Sequence, residues 1–278
     1  MDVVQGAGEH PGGSAANVAL GLGRLGVRTA LLTHVAHDAR SERIVEHLTA
    51  SGVDVLPASF GAQRASSAVA IIEESGAARY EFDIAWELPE TLPALSADVL
   101  HVGPFPAFLS PLDRLDELIA AVGAREVTFD PNIRPALIGD RADAVARFED
   151  IARRASVVKL SDEDAQWLHP GVPVDAVLDM LLGWGARLAV ITRGAEGVVI
   201  ATPSHRLPTD AVPVRVVDTI GAGDTVMASM IGSLVRHGAG GFSEQRLRTI
   251  AEDARAAAAV TVSRAGADLP WSAELGAR

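Results

Sequence analysis

The 278-residue chain contains no cysteine, which rules out disulfides and thiolate metal sites and says little about compartment. No apolar run comes near the ~18 residues that a bilayer-spanning helix needs, and the opening MDVVQGAGEH lacks the apolar core of a signal peptide. Positive charge is scarce: 24 bases face 36 acids, the formal net charge is −12, and no basic cluster stands out. Neither nucleic acid nor a membrane is an expected partner. An anionic substrate would need a local positive pocket built from backbone NH groups, a few bases or a metal ion. No internal repeat and no low-complexity tract is present, and a cytoplasmic protein is the default expectation. With 48% hydrophobic and 22% charged residues, the length suits one large α/β domain, alone or with a small appendage.

What is there is an alternation. VRTALLTHVA, DVLHVG, EVTFDP, SVVKLS and LAVITRG run apolar for several residues and end in polar or turn-forming ones, as buried strands do. Between them SERIVEHLTASG, LDRLDELIAAVG, RADAVARFEDIARR and VDAVLDMLLGWG carry apolar residues at helical spacing, with glycine near the ends of most. Strand-helix alternation predicts a doubly wound α/β fold with a mostly parallel sheet between helix layers. From Val53 to Ala85 the rhythm breaks: VDVLPA, SSAVAIIEE and ARYEFDIA have no helix between them, and Ser75-Gly76 offers a hairpin turn. Tyr80, Phe82 and Ile84 alternate onto one side. This predicts a small antiparallel β lid over residues 53–85, inserted in a main domain of residues 1–52 and 86–278. The lid's bland reading is a surface excursion, and its functional reading is a cover or a homodimer clasp.

Chemistry concentrates at the two ends. In DTIGAGDTVMASMIGSL, VRVVD reads as the preceding strand and the helix ends at Gly238, so Gly221, Ala222 and Gly223 fall at a helix N-terminus. Small residues there let NH groups converge on an anion, and the helix dipole adds roughly half a positive charge. Asp224 either caps that helix, worth about 1 kcal/mol, or accepts the proton of an attacking alcohol in phosphoryl transfer. The second cluster, HPGGSAANVALGLGRLG, opens on Gly12 and Gly13 and continues as a helix with Asn17 near its first turn. Gly21, Gly23 and the alanines permit close packing. Neither a dinucleotide-binding GxGxxG order nor a Walker A lysine occurs.

GGSAANVALGLGRLG and DTIGAGDTVMASMIGSL resemble the first and second signatures of the PfkB (ribokinase-like) carbohydrate kinases, in the right order and at opposite ends of the chain. ARYEFDIAWELP, FDPNIRP, VVKLSDEDAQWL, ITRGAEG and TVSRAGADLPW resemble the fructokinase branch, so the resemblance covers nearly the whole length. It implies a doubly wound sandwich with a β lid, ATP and Mg2+ as cosubstrate and cofactor, K+ as a further ion in some relatives, and a sugar as acceptor. It makes Asp224 the base and the NH groups of Gly221, Ala222 and Gly223 the anion hole. Gly13 and Asn17 would hold sugar hydroxyls, joined by Asn132 and Arg134 beyond a strand's carboxyl end. Thr192, Gly194 and Gly197 would border ATP, Ser263 to Gly266 would close over adenine, and Lys159 would contact phosphate. A routine turn is the plain alternative at 192–197. Ser161 and Asp164 stand where relatives carry Asn-x-x-Glu. They read equally as a helix cap, with Asp164 acting on magnesium through water. Asp218 and the backbone of Ile220 match a monovalent-cation site, or Asp218 simply satisfies nearby NH groups.

Relatives begin with a strand ending in something like GEALVDVV, whose aspartate grips sugar hydroxyls; here Asp2 would match it and almost the whole first strand would be missing. A start placed too far downstream is the expectation, against a genuinely shortened protein. Three functions remain open: a fructose kinase; a kinase for 2-keto-3-deoxygluconate, which Arg134 would favour, or for a nucleoside or another ketose; and a non-catalytic sugar-binding relative.

Overall fold

Leu188 and Val190 pack on one side of a six-stranded sheet while Ala189 and Ile191 pack on the other, so the apolar run LAVIT is buried on both faces. The computed structural model describes every residue except 5–7, 73–77, 239 and 277–278. Along the chain, β1 (Asp2–Val4) and β2 (Gly8–His10) precede α1 (Ser14–Arg24). Then come β3 (Thr29–Leu31), α2 (Ala39–Ala50), β4 (Val53–Val55), β5 (Ser67–Ile72) and β6 (Ala78–Asp83). The middle holds β7 (Val99–Val102), α3 (Pro104–Leu109), α4 (Leu112–Val122), β8 (Glu126–Phe129), α5 (Pro135–Ile138) and α6 (Arg141–Ala152). Next are β9 (Val157–Ser161), α7 (Asp162–Leu168), α8 (Val174–Gly183), β10 (Leu188–Thr192), β11 (Val198–Ala201) and β12 (Arg206–Thr209). The chain closes with α9 (Ala222–His237) and α10 (Glu244–Val262).

The main sheet has the order β12-β11-β10-β9-β8-β7. β7 to β10 are parallel, and β11 and β12 are added antiparallel. Phe148 and Ile151 of α6 and Leu178 and Leu181 of α8 cover one face, around Phe129 and Leu160. Val226, Met230 and Leu234 of α9 with Leu247 and Ile250 of α10 cover the other. This is the sandwich that the alternation predicted.

Two expectations are corrected. Val53–Val55 does not join the lid. It pairs parallel with β3, Thr29 opposite Val53, because α2 makes β3 to β4 a crossover unit, and a crossover returns its strand parallel to the first. The lid is the sheet β2-β1-β5-β6, drawing two strands from the N-terminus, and within it β1 runs parallel to β5. β5 and β6 are antiparallel, while the Ser75-Gly76 turn and the Asp2 and Tyr80 side chains lie outside the described residues. The stretch VRVVD is not a strand either. Val216 and Val217 are 58% and 57% exposed, and the Val217 NH donates to the Val262 carbonyl at 2.8 Å. After β12 the sheet has ended, so these residues have no strand to pair with.

α1 lies directly on α9. A Cβ added at Gly21 would come within 2.8 Å of the Ala228 Cβ, and one at Gly23 would overlap the Ser51 carbonyl. Gly21→Val is therefore expected to lower the unfolding free energy by about 2–3 kcal/mol, measured as an earlier urea midpoint, since the two helices cannot stay at this separation.

Candidate active site

The close packing of α1 on α9 brings two helix N-termini together. Gly221 caps α9 with φ 80°, a left-handed conformation that glycine adopts freely. Asp224 follows in the first turn and is 7% exposed. Ser14 Oγ donates to its Oδ1 and Asn17 Nδ2 to its Oδ2, both at 2.8 Å. Asp224 therefore does not cap its own helix; its carboxylate is held by α1. Burial pushes its pKa above the usual carboxylate range, with the nearby Asp130 adding to the rise, while the Asn17 and Ser14 bonds and Lys159 oppose it. A partly desolvated carboxylate of raised pKa is a better proton acceptor. The Ala222 NH donates to the Thr219 carbonyl at 3.2 Å, so the first-turn amides of Gly223 and Asp224 are the ones that a helix leaves without internal acceptors. Gly13, with φ 113°, caps α1, and a Cβ there would project into open space on the cleft wall.

Under this pair lies a buried ion pair. Lys159, the chain's only lysine, sits on β9 and is 4% exposed; its Nζ lies 2.7 Å from Oδ2 of Asp130, which is 0% exposed. Burial works against the ammonium, but the charge and hydrogen bond of Asp130 outweigh it, and the lysine pKa is raised. A Cβ at Gly223 would come within 2.8 Å of Lys159 Nζ, so that ammonium reaches the start of α9. Asn132 holds φ 37°, unusual for a non-glycine residue, and its NH donates to Asp130 at 3.3 Å. Arg134 is exposed at the cleft wall, with its guanidinium on the Ile133 carbonyl at 2.8 Å.

Asp164 completes the capping box with Ser161, and its two oxygens accept the NH groups of Ile133 at 2.8 Å and Ser161 at 3.0 Å. Burial raises its pKa, with Asp130 adding to the effect. It ties β9 to the loop after β8. Asp218 behaves similarly: its oxygens accept the NH groups of Ile220 at 3.0 Å and Gly266 at 2.8 Å.

Thr192, Gly194 and Gly197 line the cleft. Gly197, with φ 85°, is also required by packing, because a Cβ would overlap the Thr209 carbonyl. Ser263 and Gly266 are not on the cleft wall. The face of α10 formed by Ala258, Ala259 and Val262 is, together with the apolar stretch Ala211–Val214 and Val216. Of the valines misread as a strand, Val214 and Val216 are exposed toward the cleft. Phe82 and Ile84 line it from the lid side.

Two groups at the site, Ser14 and His101, carried no assigned role in the sequence, and a third, Asp130, had no assigned partner. Ser14 stood next to Gly13 and one helical turn from Asn17, which was its signal. Asp130 was noted as part of FDPNIRP without a partner. His101 gave no signal: its Nδ1 lies 3.0 Å from Thr128 Oγ1, its buried Nε2 has no partner, and burial pushes its pKa down to about 4. It is a neutral imidazole on the cleft wall.

Among the described residues no group of three or more His, Asp or Glu stands ready to hold a metal ion, and no helix is long and apolar enough to cross a membrane. Asp164 and Asp218 already spend both oxygens on backbone amides. A divalent ion would fit here through the oxygens of a bound polyphosphate, with Asp164 behind it. Each Asp218 oxygen accepts one backbone amide and keeps a second lone pair, which a monovalent ion beside the Ile220 backbone would use.

Known proteins match over the same span. The profile of the pfkB family carbohydrate kinases matches residues 2–274. A fructokinase of Rhizobium leguminosarum bv. trifolii is 36% identical over 239 residues, 83% of this chain and 73% of that protein. A fructokinase of Salmonella typhimurium is 31% identical over 82% of this chain and 78% of its own. Among solved structures, the fructokinase of Vibrio cholerae O395 bound to fructose, ADP and calcium superposes with a TM-score of 0.83 at 25% identity, covering 99% of this chain and 94% of that one. Aminoimidazole riboside kinase from Salmonella enterica gives 0.84 at 22% identity over 99% and 95%, a likeness of fold.

Proposed function

This chain belongs to the pfkB family of carbohydrate kinases, and on that footing we propose that it transfers the γ-phosphoryl group of ATP to a hydroxyl of fructose. The observation that carries the reading is the Asp224 carboxylate, buried at the base of the cleft and held by Ser14 and Asn17 beside first-turn amides of α9. A carboxylate facing a phosphoryl group is repelled by it unless its task is to take a proton. Asp224 removes the proton from the attacking hydroxyl. The oxygen then bonds to the γ-phosphorus as the bond to ADP breaks, and the amides of Gly223 and Asp224, with Lys159, stabilise the charge spread over the phosphoryl oxygens. The Gly221–Ala222 peptide gives the chain the turn that aims them.

Asn17 and Gly13 suit sugar hydroxyls, since one offers an amide and the other an open wall. The apolar face of α10 and the valine stretch suit a purine ring, and Thr192, Gly194 and Gly197 suit its ribose and phosphates. Magnesium, held by the nucleotide phosphates with Asp164 in support, would neutralise charge between them. Phe82 and Ile84 support a lid that excludes water on closure. A homodimer through the lid would have to use the face bearing Glu81 and Asp83, and a monomeric sedimentation profile would retire it.

ATP consumption measured across a panel of sugars tests the proposal. Fructose is expected to lead, and a panel on which no sugar raises consumption would overturn it. Arg134, exposed at the wall, supports 2-keto-3-deoxygluconate as the second reading, because its guanidinium could pair with a sugar carboxylate. Within the panel, Asn17→Ala is expected to lower kcat/KM for the preferred sugar about 10- to 100-fold, because it removes a donor to both hydroxyl and base.

A further inference from the structure

The part of the cleft that suits a purine ring carries one charged side chain for which neither the sugar nor the phosphates account. Arg255 lines the cavity on the same stripe of α10 as Ala258, Ala259 and Val262, which follow it at helical spacing. It is half-buried, and its Nε is sealed from solvent without a hydrogen-bond partner. An unpaired buried donor costs the free protein stability, and a guest that accepts from it removes that cost. The head of α9 sets how far this group stands from the phosphates. Thr225 Oγ1 meets Thr261 Oγ1 at 2.8 Å, so the two helices touch where α9 begins and α10 ends. Arg255 comes before Thr261 on α10, about 9 Å back along the axis at a rise of about 1.5 Å per residue. The apolar stripe that suits the ring lies between, which puts the guanidinium at the ring's edge and away from the first-turn amides of α9.

The rest of that wall is neutral. Over residues 194–220 and along α10, the described lining residues include no carboxylate, amide or imidazole, and Thr219 brings a hydroxyl beside the α9 turn. The Val262 carbonyl is engaged as well, by the Val217 NH at 2.8 Å and the Asp218 NH at 3.3 Å. A guanidinium has five N–H donors and no acceptor. It pairs through two bonds with O6 and N7 of guanine, whereas adenine places its N6 amino donor where guanine has O6.

We propose that Arg255 reads the base of the bound nucleotide, so that the phosphoryl-donor site takes guanine nucleotides at least as well as adenine nucleotides. The inference rests on the kinase reading for the place of the phosphates, and on Arg255 for the base. With guanine, both acceptors of the ring edge meet the guanidinium and its orphaned donor is used. With adenine, N7 alone is available, and the N6 amino group faces another donor and stays unpaired. A site built from hydrogen bonds discriminates through such unpaired groups far more than an apolar slot does through shape. Hypoxanthine has O6 and N7 without the exocyclic amine of guanine, and is expected to behave as guanine does.

Calorimetric titration of the full chain with GDP, IDP and ADP, each with Mg2+, tests this without sugar or turnover. GDP and IDP are expected to bind at least as tightly as ADP. In Arg255→Met, GDP and IDP are expected to weaken by about 10-fold or more and ADP by less than about threefold, as the loss of a two-bond contact to one base requires. ADP bound more than about threefold tighter than GDP by the parent would overturn the proposal, whether or not the variant folds. A folded variant that weakens all three alike would move the guanidinium to ribose or phosphate and overturn it too, as would one that weakens none. Turnover keeps this apart from the kinase reading. If fructose draws on ATP while GTP supports less than about a tenth of that kcat/KM, the kinase reading stands and the base assignment falls. If none of the three nucleotides binds, both fall.

Discussion

Asp224→Asn is expected to yield a folded protein that still binds fructose and ATP but turns over about 100- to 10,000-fold more slowly, the range that a positioned base supplies. The amide keeps the shape of the carboxylate and one acceptor oxygen for Ser14 or Asn17, but it takes no proton. The same variant is expected to melt no lower than the parent. Burial raises the Asp224 pKa in the folded state, so the folded protein binds more protons than the unfolded one over the interval above the ordinary carboxylate value. Stability therefore falls as pH rises through that interval, and the ionised carboxylate is a cost at neutral pH. The asparagine carries no such cost. Its thermal advantage should be absent at acidic pH, where Asp224 is protonated anyway, and grow as pH rises. A coupled ATP assay beside melting curves at two pH values checks both halves. Retained turnover would remove Asp224 from the chemistry, and an advantage largest in acid would reverse the electrostatic argument.

Lys159→Met is expected to be the most destabilising single change in the site. Asp130 has no exposed surface, and Lys159 Nζ is the counter-charge it holds at 2.7 Å. Removing one partner of such a pair leaves an uncompensated buried charge and costs about 3–5 kcal/mol, a large part of the 5–15 kcal/mol that holds a typical domain folded. Replacing both, Lys159→Met with Asp130→Asn, should recover most of the lost stability, because the stranded charge goes with its partner. Activity should not return. If Lys159 lends its charge to the transferring phosphoryl group, the double variant stays slow by about 100-fold while folding well. Denaturant midpoints and turnover for the single and double variants separate the two roles. Recovery of both together would make the pair purely structural.

How much of this was written in the sequence differs by residue. The strands of the main sheet were legible because a strand buried on both faces must be apolar throughout, and LAVIT is. Asp224 was legible because glycines before an apolar helix followed by an acid make little sense without an anion. Its partners were harder. Ser14 lies 210 residues away, and the contact depends on how closely α1 approaches α9, which Gly21 permits but no local pattern states. The Lys159–Asp130 pair had the same obstacle across two strand ends. VRVVD was misread because periodicity cannot separate a strand from an apolar loop that faces a cleft. β4 was misplaced because the absence of a following helix said nothing about the helix before it. Ser263 and Gly266 lie just beyond the α10 face that lines the cleft.

The solitary lysine has one more consequence. Acylation and conjugation reactions that modify proteins through the lysine side-chain amine find a single such group here, locked in the interior against a carboxylate. A bulky acyl group on Lys159 would have to break that pair and enter the cleft at the head of α9. Lysine modification of this chain therefore acts inside the candidate active site and not on the outer surface.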